Sequence, residues 1–208
     1  SSDGKLQWEL PIDTDHTDEI VIGKFDPDID EELLAIVSGW EGFMIVDKHG
    51  HILARDINGH GQRISVANYC PNMRGLQIAT TTYWENEIWH MEPSSNGNVV
   101  APVNWKGDGT ELILLNGNVK YGGMLDGDGD RVVLFPDDGH PDQCAEVLNL
   151  TGDPRDEIIL WDAHKMYIYT QDRPAPDGPV YHPEKYPEYS ASNYRGEFSF
   201  AHWDKAGD

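Results

Sequence analysis

The sequence predicts an all-β protein made of β-propeller blades, about four antiparallel sheets of three to four strands each, forming part of a larger propeller. Three observations lead there. The apolar runs are short and dominated by Val, Ile, Leu, Tyr and Trp, the residue types that suit strands. No stretch carries the 3.6-residue period of an amphipathic helix; HTDEIVIGKF can be forced into one, but its β-branched residues argue against it. Finally, one unit of strand, polar loop, strand, turn and strand recurs along the chain.

The clearest copy spans residues 144–172, where AEVLNL, EIILW and MYIYT are separated by the loop TGDPRD and the turn DAHK. The first unit runs from DHTDEIVIGKF through DPDIDEE to LLAIVSG and GFMIVDKHGHIL. A second follows as GHGQRISVANY, CPNMRG, LQIATTTYW and EIWHMEP, and a third as VVAPVNW, KGDGTE, LILLNG and GGMLDGDGDRVVLF. The residue closing the first strand falls at Phe25, Tyr69, Trp105 and Leu150, at intervals of 44, 36 and 45 residues. A β-sandwich also yields many short strands, but it does not place the same loop chemistry at the same point of every unit. Residues 173–188 hold five prolines and read as extended surface chain, after which GEFSFAHW resumes alternation as a closing strand. The expected division is therefore 1–172 for four blades and 173–208 for an extended segment and closing strand of the same domain. Four blades do not comfortably close a ring, so a second chain or a missing N-terminal half is expected to complete it.

With 15 basic and 37 acidic residues the formal charge is −22, which makes nucleic acid a poor partner. No run approaches the ~20 apolar residues that span a bilayer, so no membrane partner is expected. The first residues lack the apolar core of a signal peptide, and the expected location is nonetheless extracellular or secreted. Cys70 and Cys144 lie far apart and make no metal-finger spacing; free thiols are the simpler reading.

Acid clusters fall on turns. Asn149, Thr151, Asp153 and Glu157 stand at relative positions 1, 3, 5 and 9 of a tight loop, a spacing that turns oxygen ligands inward around one Ca2+. In the first unit Asp26, Asp28 and Glu32 match Thr151, Asp153 and Glu157. Neutral or basic residues in the loops of units two and three argue against ions there. Asp126, Asp128 and Asp130 read as a solvated Gly-Asp turn. Asn149 also opens the sequon NLT, and it cannot be glycosylated and a ligand at once. His16 and His60 each stand nine residues before the end of a first strand and His140 ten, so the three share one topological position at a channel mouth.

The runs PVNWKGDGTELILL, RVVLFPDDGHPDQCAEVLNLTGDPRDEIILWD, YIYTQD and SNYRGEFSF resemble the C-terminal half of the rhamnogalacturonan lyase family 11-like proteins. The resemblance implies a multi-bladed, calcium-binding propeller that cleaves an acidic, rhamnose-containing polysaccharide by β-elimination. Two departures stand against it: the N-terminal half of the propeller is absent, and CPNMRG replaces an acidic loop. A uronic acid lyase must take the weakly acidic C5 proton and neutralise the neighbouring carboxylate. His60 or His140 is the candidate base, Arg63 or Ca2+ the neutraliser, and His16 and Trp105 are candidate substrate contacts. The rival is a non-catalytic propeller that binds carbohydrate or protein, with calcium as a structural clip.

Overall fold

A computed structural model describes residues 3–12, 16–39, 42–57, 60–83, 100–153, 155–175, 177, 184–186 and 198–202. Every regular element among them is a strand, and the strands fall into four sheets in chain order. Sheet one contains β1 (Glu19–Lys24), β2 (Leu33–Val37), β3 (Phe43–Val46) and β4 (Ile52–Asp56), in that order. Sheet two pairs β5 (His60–Ala67) with β6 (Gln77–Tyr83). Sheet three contains β7 (Ala101–Val103), β8 (Leu112–Asn116), β9 (Gly123–Leu125) and β10 (Arg131–Val133). Sheet four contains β11 (Cys144–Leu148), β12 (Glu157–Trp161) and β13 (Met166–Tyr169). The first strands stand side by side, β1 by β5, β5 by β7 and β7 by β11, as blades do around a propeller axis.

Alternation explains which face each strand buries. Along β1, Glu19, Val21 and Gly23 turn inward while the residues between them are half-covered. Val21, Leu33, Ala35 and Val37 of sheet one meet Ile64 and Val66 of sheet two. Val103, Leu112, Leu114 and Met124 of sheet three meet Val147, Ile158 and Leu160 of sheet four. Leu160 is fully buried, and truncating such a side chain to Ala costs about 2–5 kcal/mol. The other face of sheet one, Ile36, Met44 and Val46, is covered by Trp8, Leu10 and Ile12 from the strap at residues 3–12.

Polar clips join neighbouring units beside these apolar contacts. Glu111, just before β8, accepts the Asn68 N–H at 2.9 Å and donates its own N–H to the Asn68 carbonyl at 2.9 Å. Asp156, just before β12, treats Asn104 in the same way. Between units one and two the backbone half of the pattern recurs: Leu76 N–H donates to the Phe25 carbonyl at 3.0 Å, and an apolar residue stands where the acid would be. A further acid, Glu19, accepts the Ile64 N–H at 2.8 Å across the same boundary.

Sheet one carries two further strands beside its own four. There β15 (Phe198–His202) pairs parallel with β1, matching Gly23 with Ala201 and Lys24 with His202, and β14 (Glu184–Tyr186) pairs antiparallel with β15, making six strands. The open edge of β1 offers a row of backbone donors and acceptors, and a strand distant in sequence satisfies them. The strand expected at EIWHMEP lies outside the described residues.

Candidate functional site

The strands separate two sets of candidate residues. His16 precedes β1 and His60 opens β5, whereas the loop of Asp26, Asp28 and Glu32 follows the other end of β1. Six residues of strand put about 20 Å between those ends. Calcium in the first loop is therefore too far away to neutralise a carboxylate held near His16 or His60.

The histidine end is assembled by backbone pairing. Gly61 N–H donates to the Gly39 carbonyl at 3.0 Å, joining the start of β5 to the end of β2. Ser38 Oγ donates to the His16 carbonyl at 2.9 Å, and the Asp18 N–H to the Val37 carbonyl at 3.1 Å. Residues 16–18, 38–39 and 60–61 thus lie together at one end of units one and two. The His16 side chain is 44% exposed, with Nε2 3.3 Å from Oδ2 of Asp18, whose side chain is 4% exposed. That oxygen is buried and the contact is the approach of an ion pair, not an aligned hydrogen bond. Arg63 lies on β5 three residues after His60, half-buried, its carbonyl accepting the Thr80 hydroxyl at 2.8 Å.

His140 requires a correction. It occupies the equivalent backbone position ahead of β11, but its side chain is 1% exposed. Nδ1 meets Asp138 Oδ1 at 2.6 Å and Nε2 meets the Gly117 carbonyl at 2.6 Å. The ring packs against Phe135 and edge-on to Tyr169, whose hydroxyl donates to Asp138 Oδ2 at 2.9 Å. With both nitrogens engaged and no exposed face, His140 cannot take a proton from a polysaccharide. The His140 ring holds the Asp138 carboxyl below the usual carboxylate range, with the Tyr169 hydroxyl assisting against a contribution from burial. Burial, followed by the hydrogen bond to Asp138, raises the Tyr169 phenol well above its usual range.

Trp105 lies at the loop end of β7, half-buried, and packs against the core between sheets three and four. It stands at the loop end of its unit, whereas His16 precedes the opposite end of β1. Trp40 and Trp84 lie outside the described residues. Asp126 Oδ1 accepts the N–H groups of Asp128 and Asp130 and so caps its own hairpin, as a Gly-Asp turn does. Cys70 and Cys144 are free thiols.

The donor sets of the two acidic loops do not fit a calcium ion as they stand. In the fourth unit Glu157, 1% exposed, accepts the Leu150 N–H at 2.6 Å and the Thr151 hydroxyl at 2.7 Å. Asn149 Nδ2 donates to the carbonyls of Asp153 and Arg155. Both oxygens of Asp153 accept from the Arg155 guanidinium. In the first unit Asp26 Oδ1 accepts the Asp28 N–H at 2.8 Å, and Asp28 Oδ1 accepts Arg74 Nη1 at 2.6 Å. Glu32 is exposed. Among the described residues no three His, Cys, Asp or Glu side chains gather into a metal-binding group.

Asp18, Asp138, Arg74 and Arg155 are the participants that reading the sequence missed. Three of them carried a signal in spacing alone: Asp18, Asp138 and Arg155 each stand two residues from their partner, a separation that the bends at 137–139 and 151–153 bring to contact. Arg74 carried none, because its partner is 46 residues away.

No family model matches the chain, and no curated protein matches it. Among solved structures, the rhamnogalacturonan lyase YesW superimposes with a TM-score of 0.49 at 17% identity, over 80% of this chain and 31% of that one.

Proposed function

We propose that the completed propeller to which this chain contributes acts, as a polysaccharide lyase does, on an acidic rhamnose-containing polysaccharide of the rhamnogalacturonan type, and that the chemistry occurs where units one and two meet. The observation that carries this reading is the gathering at one strand end of the His16–Asp18 pair, the start of β5 with His60, and Arg63 on that strand. The sequence resemblance supplies the reaction class.

In β-elimination His16, which the sequence offers only as a substrate contact, takes the C5 proton in place of the enclosed His140, the electron pair forms the C4–C5 double bond, and the C4–O4 bond breaks with its pair on oxygen. Water protonates the departing oxygen, and the hydroxide so formed takes the proton back from the histidine. Arg63 offsets the sugar carboxylate, onto which charge moves as the proton departs. The buried Asp18 carboxylate stands 3.3 Å from Nε2 of His16 and places negative charge beside the ring that receives the proton. No step passes through calcium, because the loops proposed to hold it stand at the opposite strand end.

Elimination conjugates the new double bond with the carboxylate, so turnover is read as rising near-ultraviolet absorbance with rhamnogalacturonan as substrate. A completed propeller that gives no such rise would defeat the reading, and so would robust elimination by the isolated 208-residue chain, which by itself lacks part of the channel wall that holds the substrate. The rival, a binding module without catalysis, draws support from His140, which sits in the core and not at a channel surface. Saturable polysaccharide binding without absorbance change would establish the rival.

A further inference from the structure

The two loops expected to hold calcium each place an arginine on the same aspartate. Asp28 and Asp153 occupy equivalent positions in units one and four. Asp28 Oδ1 accepts Nη1 of Arg74 at 2.6 Å, and the same guanidinium reaches the Pro27 carbonyl at 3.4 Å. Asp153 Oδ1 accepts Nε of Arg155 at 2.9 Å and Oδ2 accepts Nη2, while Nη2 also donates to the Arg173 carbonyl at 2.9 Å. Arg155 is 5% exposed, so a planar guanidinium fills the space beside this carboxylate. The arginines come from different places: Arg155 from its own loop, Arg74 from CPNMRG, the loop of unit two that lacks acids.

We propose that in these two loops the guanidinium groups of Arg74 and Arg155 take the structural role of a divalent cation, so that both loops close without calcium. The non-acidic loop of unit two then has a purpose: it delivers Arg74 to the acidic loop of unit one. Arg155 ties its loop to the segment at 173–174 as well, a connection that a bare ion would not make. The proposal is independent of whether the chain cleaves polysaccharide. The lowered carboxyl of Asp153, held down first by the Arg155 side chain, agrees with it.

The test uses the 208-residue chain and calcium chloride as the probe. The melting temperature of the parent is expected to be the same in excess chelator and in millimolar calcium, and calorimetric titration with calcium to show no saturable heat. Arg155→Gln frees the Asp153 carboxylate to face a cation. That variant is expected to melt roughly 5–10 °C lower and to regain stability when calcium is added, as linkage requires of a new site. Arg74→Gln, which alters a largely exposed side chain, gives a milder version of the same gain should the first variant fail to fold. A parent that loses stability in chelator, saturable calcium binding abolished by Asp153→Asn, or glutamine variants that neither lose stability nor respond to calcium would each overturn the proposal.

Discussion

Asp156 and Asn104 exchange two hydrogen bonds across the boundary between units three and four. The Asn104 N–H donates to Asp156 Oδ2 at 2.8 Å, and the Asp156 N–H to the Asn104 carbonyl at 3.1 Å. Both residues are at most 1% exposed. Removing the carboxylate leaves a buried N–H without its acceptor, so Asp156→Ala is expected to cost roughly 1–3 kcal/mol. Glu111→Ala, which strips the same contact from Asn68, falls in the same range, whereas the exposed Glu32→Ala stays within about 0.5 kcal/mol. Urea denaturation of the three variants checks this ranking, and a Glu32 variant as unstable as the others would contradict it.

The His140 cluster is expected to matter for stability and not for turnover. His140→Gln should leave elimination near the parental rate while lowering the denaturation midpoint. Asp138 supplies a pH dependence of known sign. Its folded carboxyl is held below the unfolded value of about 3.9, so its contribution is fully present above that pH and is lost as pH falls through the lowered folded value. Carboxyl-detected NMR titration should show Asp138 moving up in the His140 variant. An unmoved Asp138, or a large loss of rate, would count against a purely structural His140.

His16→Ala is expected to slow elimination by the roughly 10²–10⁴-fold typical of a lost general base. Arg63→Ala should act on the same step by leaving the developing charge unneutralised. Both rates are read from near-ultraviolet absorbance, with circular dichroism as the control for folding. Parental rates in His16→Ala would remove that residue from the chemistry and leave His60 as the remaining candidate.

Trp8 anchors the strap at residues 3–12 to sheet one. Its Nε1 donates to the Lys48 carbonyl at 2.7 Å, and its ring lies over Gly50, which holds a φ of +86° in the turn between β3 and β4. A Cβ at Gly50 would meet the indole and strain the backbone, so Gly50→Ala is expected to cost about 1–3 kcal/mol. Trp8→Ala should release the strap, read as faster amide exchange in residues 5–12. In the background of Trp8→Ala, the Gly50 substitution should cost less, because only the backbone strain remains.

Much of the fold was written locally. The order of strands in each unit, the alternation that buries Val21 and Val37, and the hairpin at Asp126 all follow from residue type and a spacing of two, which neighbours along the chain decide. The recurring loop position was legible for the same reason, since each loop simply joins the first two strands of its unit. What the loops do was not, because a carboxylate at ligand spacing attracts any cation that reaches it. Only the packed structure brings Arg74 to Asp28 across 46 residues and ties Arg155 to the carbonyl of Arg173. The histidines divide along the same line. Their shared place ahead of a first strand could be counted from the sequence, but the direction of each ring depends on neighbours from other units. Gly117, Phe135 and Tyr169 enclose His140, while His16 stands half-exposed beside Asp18. The pairing of β15 on β1 was equally hidden, because a sheet edge accepts any strand that arrives, and arrival is decided by the path of the whole chain.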